Sequence, residues 1–497
     1  MDAYAVNAPV SVTGSVKDLA AYLAIPARND FEKARVIYRW IDQNITYDAK
    51  AFFSKQLGDQ SAVAALRTRM AVCGGYSNLF EALGKAAGLE VVTIDGWAKG
   101  FGYDLKNLDG EPDHAWNAIK VDGAWYLIDS TWGAGHLTET NEFVRSFTPY
   151  FWLTPPAQFI NDHLPSDSRW QLLATPVSKK EYADMPMLSP GYFDYGLQLP
   201  SGTVAVTKVT SQTALLIDTP QDVLLTARVE RDGNRLDSMW ATAKRNGAKY
   251  EVKAVFPGPG RYDLVIFAKR TIEAGSYSGV VTLSYDVSQG QPDFAGFPLI
   301  FDKYYEYGLL LPSGVGAVNR VTSQSTLLVG VPADVMLSAA VEQNGQRLDD
   351  MWTFVQRNGA QYEVTATFPS IGKFDLVIFA KKSSDLGNYT SVAILGYDVG
   401  QGQPTFAGFP KTYLGFAESG AFLYSPKQGG FAIGSSQTFK ITVPKALDVQ
   451  VVIGTAWKKL AKQADTIEGA VTITGTPVKI CAAFDSSNNY SCLLEYR

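Results

Sequence analysis

Between about residue 190 and residue 410 the chain says the same thing twice. "YGLQLPSGTVAVTKVTSQTALL", starting at Tyr195, returns as "YGLLLPSGVGAVNRVTSQSTLL" from Tyr307. "YDLVIFAKR" from Tyr262 returns as "FDLVIFAKK" from Phe374, and "YDVSQGQPDFAGFP" from Tyr285 as "YDVGQGQPTFAGFP" from Tyr397. Every pair lies 112 positions apart, the period of a whole domain rather than of a short solenoid unit. Within a copy, alternating apolar runs are separated by turn residues, and seven or so short strands in about 110 residues predict an immunoglobulin-like β-sandwich. "GRYDL" has the look of a tyrosine corner, with Leu264 two residues after Tyr262; the second copy has Phe374 there and keeps only the packing. The tail from about residue 411 ("FKITV", "DVQVVIG", "AVTITG", "VKICAAF") reads as a diverged third copy. The Pro/Gly passages at the junctions are too short for free linkers.

The first 190 residues mix helix and strand signals. "NDFEKARVIYRWIDQNITYD" offers Asn29 or Asp30 as N-cap, then Phe31, Ala34, Ile37, Ile41 and Ile45 at helical spacing. Residues 73–87 form a second helix stopped by Gly88. Strand-like runs follow: "EVVTIDGWA", "AWNAIKV" and "AWYLIDS". The predicted layout is residues 1–188 as an α+β domain, 189–298 and 299–410 as the two sandwich repeats, and 411–497 as the diverged sandwich. A net charge of −5 excludes the basic face that nucleic-acid binding needs. No apolar run approaches the roughly 18 residues of a membrane span, and the start "MDAYAVNAPVSV" has neither a basic n-region nor an apolar h-region.

Cys73 stands alone in the first 480 residues, at the start of a helix and followed by Gly74, Gly75 and Tyr76. The positive end of a helix dipole favours a thiolate there. The two glycines are expected to leave room for a substrate carbonyl to approach the sulfur and nearby N–H donors. Downstream, Asp122-Gly123 between two alternating runs predicts a type I′ hairpin closed by Val121 opposite Ala124. That register sets His114 opposite Thr131 and Trp116 opposite Asp129, placing His114 and Asp129 on one face as diagonal neighbours within side-chain reach. A carboxylate so placed fixes the imidazole tautomer. Cys73, His114 and Asp129 together make the expected nucleophile, base and orienter of covalent acyl transfer.

The order of a cysteine, a histidine on a strand and an aspartate on the next strand resembles the transglutaminase-like superfamily, relatives of the papain-type thiol enzymes. "RWIDQNITYD", "VCGGYSNLFEAL", "GWAKGFGY", "HAWNAIKVDGAWYLIDSTWGAG" and "YFWLTPPAQFINDHLPSDSRWQLL" are similar to landmarks of the kyphoscoliosis peptidase family. The resemblance implies an α+β transglutaminase-like (papain-like) N-terminal domain followed by tandem immunoglobulin-like sandwiches. It also implies Cys73 as nucleophile, His114 as base and acid, and Asp129 as orienter. Trp40 occupies a place comparable to a transglutaminase oxyanion tryptophan but reads as helix core; the Cys73 N–H is the donor expected instead. Trp97, Trp116 and Trp132 are candidates for lining an acyl groove, and residues 96–104 for a loop over it. His136 and His163 read as structural. No metal-ligand spacing, phosphate loop or cofactor motif is visible.

Two classes of function compete. One is a thiol enzyme acting on a protein or peptide substrate, hydrolysing amide bonds or, alternatively, transferring the acyl group to an amine. The other is a non-catalytic adhesion or scaffold protein whose sandwiches bind a protein partner. Cys481 and Cys492 share "KICAAFDSSNNYSCLLEY"; a hairpin turning at Ser486-Ser487 sets them opposite each other, either bridged or as free thiols. With the β-rich tail, that arrangement leans towards a bacterial periplasmic or secreted protein, with a cytoplasmic one as the alternative.

Overall fold

The computed structural model describes every residue except 104–107, 139, 386, 464, 465 and 488. The chain forms two compact units. One comprises Met1–Val209, Leu216–Leu225 and Arg261–Asp286; the other comprises Thr210–Leu215, Thr226–Gly260 and Val287–Arg497.

In the first unit, helix α1 (Asp30–Asn44) starts where the Asn29 side chain accepts from the Glu32 N–H, a cap that stabilises a helix by about 1 kcal/mol. Helix α2 (Ala62–Thr68) leads through a short extended stretch into helix α3 (Cys73–Ala86), which ends before Gly88 in a left-handed conformation at φ +82°. Strands β1 (Glu90–Ala98), β2 (His114–Val121) and β3 (Ala124–Ile128) form a meander. Then come the one-turn helix α4 (Ser130–Ala134) and two short strands, β4 (Trp152–Thr154) and β5 (His163–Pro165). The sheet order is β4-β3-β2-β1-β5, with all neighbours antiparallel.

The alternation along each strand gives this sheet two apolar faces. Val91, Ile119, Val121 and Ile128 pack against Ile37, Ile41, Leu79, Phe80 and Leu83 of the helices. Ile94, Trp116, Ala118 and Leu127 pack against Phe151 and Phe159 on the other side. The hairpin closes as the sequence predicts, Val121 opposite Ala124, with Asp122 and Gly123 both at positive φ. Its ladder ends earlier than predicted, at Asn117 opposite Ile128. Thr131 therefore does not face His114 and Trp116 is not paired with Asp129: residues 130–134 are helical, because Asp129 leaves the strand to cap them.

In the second unit, the second repeat is a two-sheet sandwich. One sheet runs Leu299–Ile300, Thr390–Val399, Gly372–Lys382, Val335–Gln343 and Gln346–Arg347, with Val318–Val321 parallel to Thr390–Val399. The other runs Gln324–Gly330, Gln361–Thr367 and Thr353–Asn358. Val364 and Ala366 of one sheet share a core with Leu376, Ile378 and Leu395 of the other. The first repeat has the same hairpin 112 positions earlier, Ala241–Asn246 paired with Lys249–Val255.

The C-terminal segment repeats the strand order. Lys411–Thr412, Ser491–Tyr496, Val478–Ala483, Asp448–Ile453 and Ala456–Lys459 form one sheet; Ser436–Thr442, Thr466–Thr472 and Ala461–Gln463 form the other, extended by Phe422–Ser425. Cys481 and Cys492 lie opposite each other and are joined as a disulfide. Among the described residues, no helix is long and apolar enough to cross a membrane.

Candidate active site

Cys73 is the first residue of α3, and its N–H therefore has no acceptor within the helix. The segment entering the helix is held by Gln60, whose Oε1 accepts from the Val72 N–H at 3.1 Å. His114 opens β2 and is buried on the sheet face that also carries Trp116. Asp129, fully buried, sits between β3 and α4.

The Asp129 carboxylate accepts four hydrogen bonds. Oδ1 takes the N–H groups of Thr131 at 2.7 Å and Trp132 at 3.1 Å. Oδ2 takes Nε2 of His114 at 2.8 Å and Nε2 of His163 at 3.1 Å. An ionised carboxylate only accepts, so His114 carries its proton on Nε2 and Nδ1 is the nitrogen left for the sulfur of Cys73. Burial works against a charged His114. The Asp129 charge and hydrogen bond outweigh it, and with a hydrogen bond to Cys73 they raise the imidazole to about 10. Asp129 likewise overcomes its own burial: the two histidines hold its carboxyl far below the usual carboxylate range.

Cys73 and His114 open on a cleft of about 1180 Å³. One wall is aromatic, with Tyr47, Phe52, Phe101, Trp132 and Phe143. Another is formed by Met187–Leu188 (β6), just before the predicted start of the first sandwich repeat at residue 189, and by the Gly279–Thr282 part of Ser278–Val287 (β7) near its end, two strands paired antiparallel. The stretch 98–103 also lines the cleft, where the sequence placed a covering loop; its last residue, Asp104, lies outside the described residues.

Of the six further residues expected to touch substrate, Trp132 alone lines the cleft. Gly75 packs inward instead: a Cβ there would lie 2.6 Å from Ala71 Cβ and 2.8 Å from Gln60 Oε1, so this glycine serves helix packing. Gly74 has room for a methyl group, with Gln60 Cβ as its neighbour at 3.9 Å. Tyr76 is fully buried and donates to the Ile45 carbonyl at 2.7 Å. Trp97 is buried and donates to the Gly110 carbonyl. Trp116 lies behind the site, its ring against Phe159 and His163. Trp40 is core, as expected.

The two histidines read as structural both lie near the site. His136 is exposed at the cleft. His163 is completely buried and reaches Asp129 because β5 pairs with β1, Ala98 opposite His163. Gly96 permits that pairing: a Cβ there would fall 2.2 Å from the Leu164 carbonyl oxygen. The neighbouring Asp162 is visible in the sequence, but nothing there points to Asp129 as a partner of His163. His114, Asp129 and His163 offer ligand atoms within 4.8 Å of one another, a grouping the widely spaced histidines did not suggest. Both Nε2 atoms meet one carboxylate oxygen at hydrogen-bonding distance, which is the arrangement of a proton network.

Comparison with known proteins agrees with this architecture. Residues 17–130 match the transglutaminase-like superfamily model, and residues 179–293 and 291–397 each match the KY-like, immunoglobulin-like domain model. The chain is 27% identical to the kyphoscoliosis peptidase of Mus musculus over 509 residues, covering 98% of this chain and 75% of that protein. It is 26% identical to the Homo sapiens kyphoscoliosis peptidase over 517 residues, covering 100% and 76%. Hillarin of Drosophila melanogaster is 31% identical over 223 residues, 41% of this chain and 27% of hillarin. Mouse, human, fly, worm and fission yeast relatives overturn the leaning towards a bacterial periplasmic or secreted protein. Over nearly its whole length the chain is therefore similar to the kyphoscoliosis peptidases, with a transglutaminase-like match followed by two KY-like, immunoglobulin-like matches.

Proposed function

We propose that this chain is a thiol acyl-transfer enzyme that hydrolyses peptide or side-chain amide bonds of a protein or peptide, with Cys73, His114 and Asp129 as its triad. The observation that carries the reading is a single chain of contacts: a thiol at a helix start, an imidazole hydrogen-bonded to it, and a buried carboxylate holding the ring's other nitrogen. The Cys73 thiolate attacks the amide carbon, forming the C–S bond and an oxyanion. The imidazolium of His114 gives its proton to the departing amine as the C–N bond breaks. Water then loses a proton to His114 and attacks the thioester, releasing the acid and restoring the thiolate.

The oxyanion requires donors. The Cys73 N–H is one. Tyr47 is the second: it lines the cleft, and burial together with the nearby Cys73 charge holds its hydroxyl proton in place, so it donates. Hydrolysis is favoured over amine transfer by the breadth of the cleft, which admits water beside the substrate. The first sandwich repeat contributes one wall, which supports a role for that repeat in holding substrate.

The test is the rate of Cys73 alkylation by iodoacetamide from pH 4 to 9, in the wild type and His114→Ala. Fast labelling that persists below pH 6 and disappears in the variant is expected. Identical slow labelling in both, rising only in the alkaline range of a free cysteine at about pH 8.5, returns the chain to the scaffold class. Incubation of the active protein with a glutamine peptide and a fluorescent primary amine then separates hydrolysis from cross-linking: side-chain hydrolysis predicts ammonia release and peptide-bond hydrolysis predicts cleavage of the peptide, each without amine incorporation.

A further inference from the structure

The oxygen of Asp129 that holds His114 also holds His163. On its other side, His163 Nδ1 lies 2.6 Å from Asp162 Oδ1. A ring with a carboxylate on each nitrogen carries a proton on each, because carboxylates only accept. His163 is completely buried, stacked on Phe159 at 4.1 Å between ring centroids and flanked by Trp132 at 4.5 Å and Trp116 at 5.0 Å. Its ring centre is 5.3 Å from that of His114.

We propose that His163 is a positioning residue: a fixed imidazolium that clamps Asp129 in the rotamer facing His114 and loosens the hold of His114 on its own proton. This rests on the acyl-transfer reading of the site. The titratable groups around His163 are Asp129 and Asp162 on its two nitrogens and His114 beside it; Lys99 and Tyr150 stand next to Asp162. Burial opposes the charge on His163, but Asp162 and Asp129 together raise the group above the ordinary histidine range. Two consequences follow. The carboxylate cannot rotate away from His114 without breaking a second charge-assisted hydrogen bond. A cation this close also disfavours a second cation, so His114 releases its proton to the leaving amine more readily than it would beside Asp129 alone.

The chain has only three histidines, which makes the test direct. Full-length protein labelled with ¹⁵N-histidine is titrated by NMR from pH 5 to 11.5, a range that spans the His114 midpoint of about 10 and its expected rise, as wild type and as His163→Gln, whose missing signals assign the ring. His163 of the wild type is expected to show two protonated nitrogens at pH 7. The His114 midpoint is expected to rise by about one pH unit in His163→Gln, through loss of the neighbouring cation. A neutral His163 ring at pH 7, or an unmoved His114 midpoint, overturns the proposal. His163→Phe, which keeps ring packing but neither hydrogen bond, is compared in the alkylation assay at pH 5. A fall of about tenfold or more, partly restored in His163→Gln, is expected; wild-type labelling in His163→Phe means the ring only fills space. Failure of the wild-type protein to label below pH 6 sinks the acyl-transfer reading, whereas the NMR of His163 is read independently of it.

Discussion

Replacing Asp129 with asparagine leaves the shape of the side chain and reverses half of its hydrogen bonding. Oδ1 still accepts from the Thr131 and Trp132 N–H groups, so the cap of α4 survives. In place of Oδ2, the amide nitrogen now points two N–H donors at Nε2 of His114 and His163, both of which donate in the wild type. Relief requires His114 to move its proton to Nδ1, the nitrogen facing Cys73, where it can no longer receive the thiol proton. The proposed thiolate–imidazolium pair cannot then form. An unassisted cysteine with a pKa of about 8.5 is thiolate at only about one part in 3000 at pH 5, so labelling by iodoacetamide at that pH is expected to fall about 10³-fold. Breaking a buried ion pair by neutralising one member also costs about 3–5 kcal/mol, which urea unfolding at pH 7 measures. Far-UV circular dichroism of the variant checks that the fold is retained. Wild-type labelling at pH 5 in a folded Asp129→Asn protein would refute the argument that this carboxylate sets the tautomer.

Three further outcomes are expected. Tyr47→Phe removes a proposed oxyanion donor and lowers kcat by about 10²–10³-fold with KM little changed, measured on whichever amide substrate the wild type cleaves. Gly133→Ala places a Cβ 2.0 Å from the buried Tyr38 hydroxyl and loses about 1–3 kcal/mol of stability by overpacking. Gly74→Ala meets no such contact and gains about 0.5–1 kcal/mol; urea midpoints of the two variants compare them. Stability also depends on pH with a definite sign. His114 rises from 6.5 to about 10 on folding, so its contribution is full below about 6.5 and disappears as pH climbs through about 10. The urea midpoint of the wild type is expected to drop between pH 7 and 10.5 by more than that of His114→Gln.

What could be read from the sequence was local. The Asp122-Gly123 turn fixes its hairpin register within a few residues, and the Ser486-Ser487 turn does the same for Cys481 and Cys492. The repeat was legible because the segments starting at Tyr195, Tyr262 and Tyr285 return 112 positions later, and the paired hairpins Ala241–Val255 and Thr353–Thr367 keep that offset in the structure. The helix start at Cys73 follows from apolar spacing and Gly88. His163 was not legible, because it reaches Asp129 through the pairing of β1 with β5, and nothing near residue 163 names its partner strand. Gly75 was misread for a related reason: a glycine that makes way for substrate and one that makes way for Ala71 look alike until the neighbouring elements are placed. The end of β3 was misjudged because Asp129 takes up a cap where alternation alone continues the strand.

The wall contributed by β6 and β7 has a consequence for how the protein is made. Cys73 leaves the ribosome early, but the strand ending at Val287 follows it by roughly 200 residues, which at about 5–20 residues per second is some 10–40 s of synthesis. Throughout that interval the Cys73 thiol sits in a half-built groove, open on the side that β7 later lines. The cleft is thus complete only after the first sandwich has been translated, and a fragment ending at residue 188 lacks the part of its wall that β7 supplies.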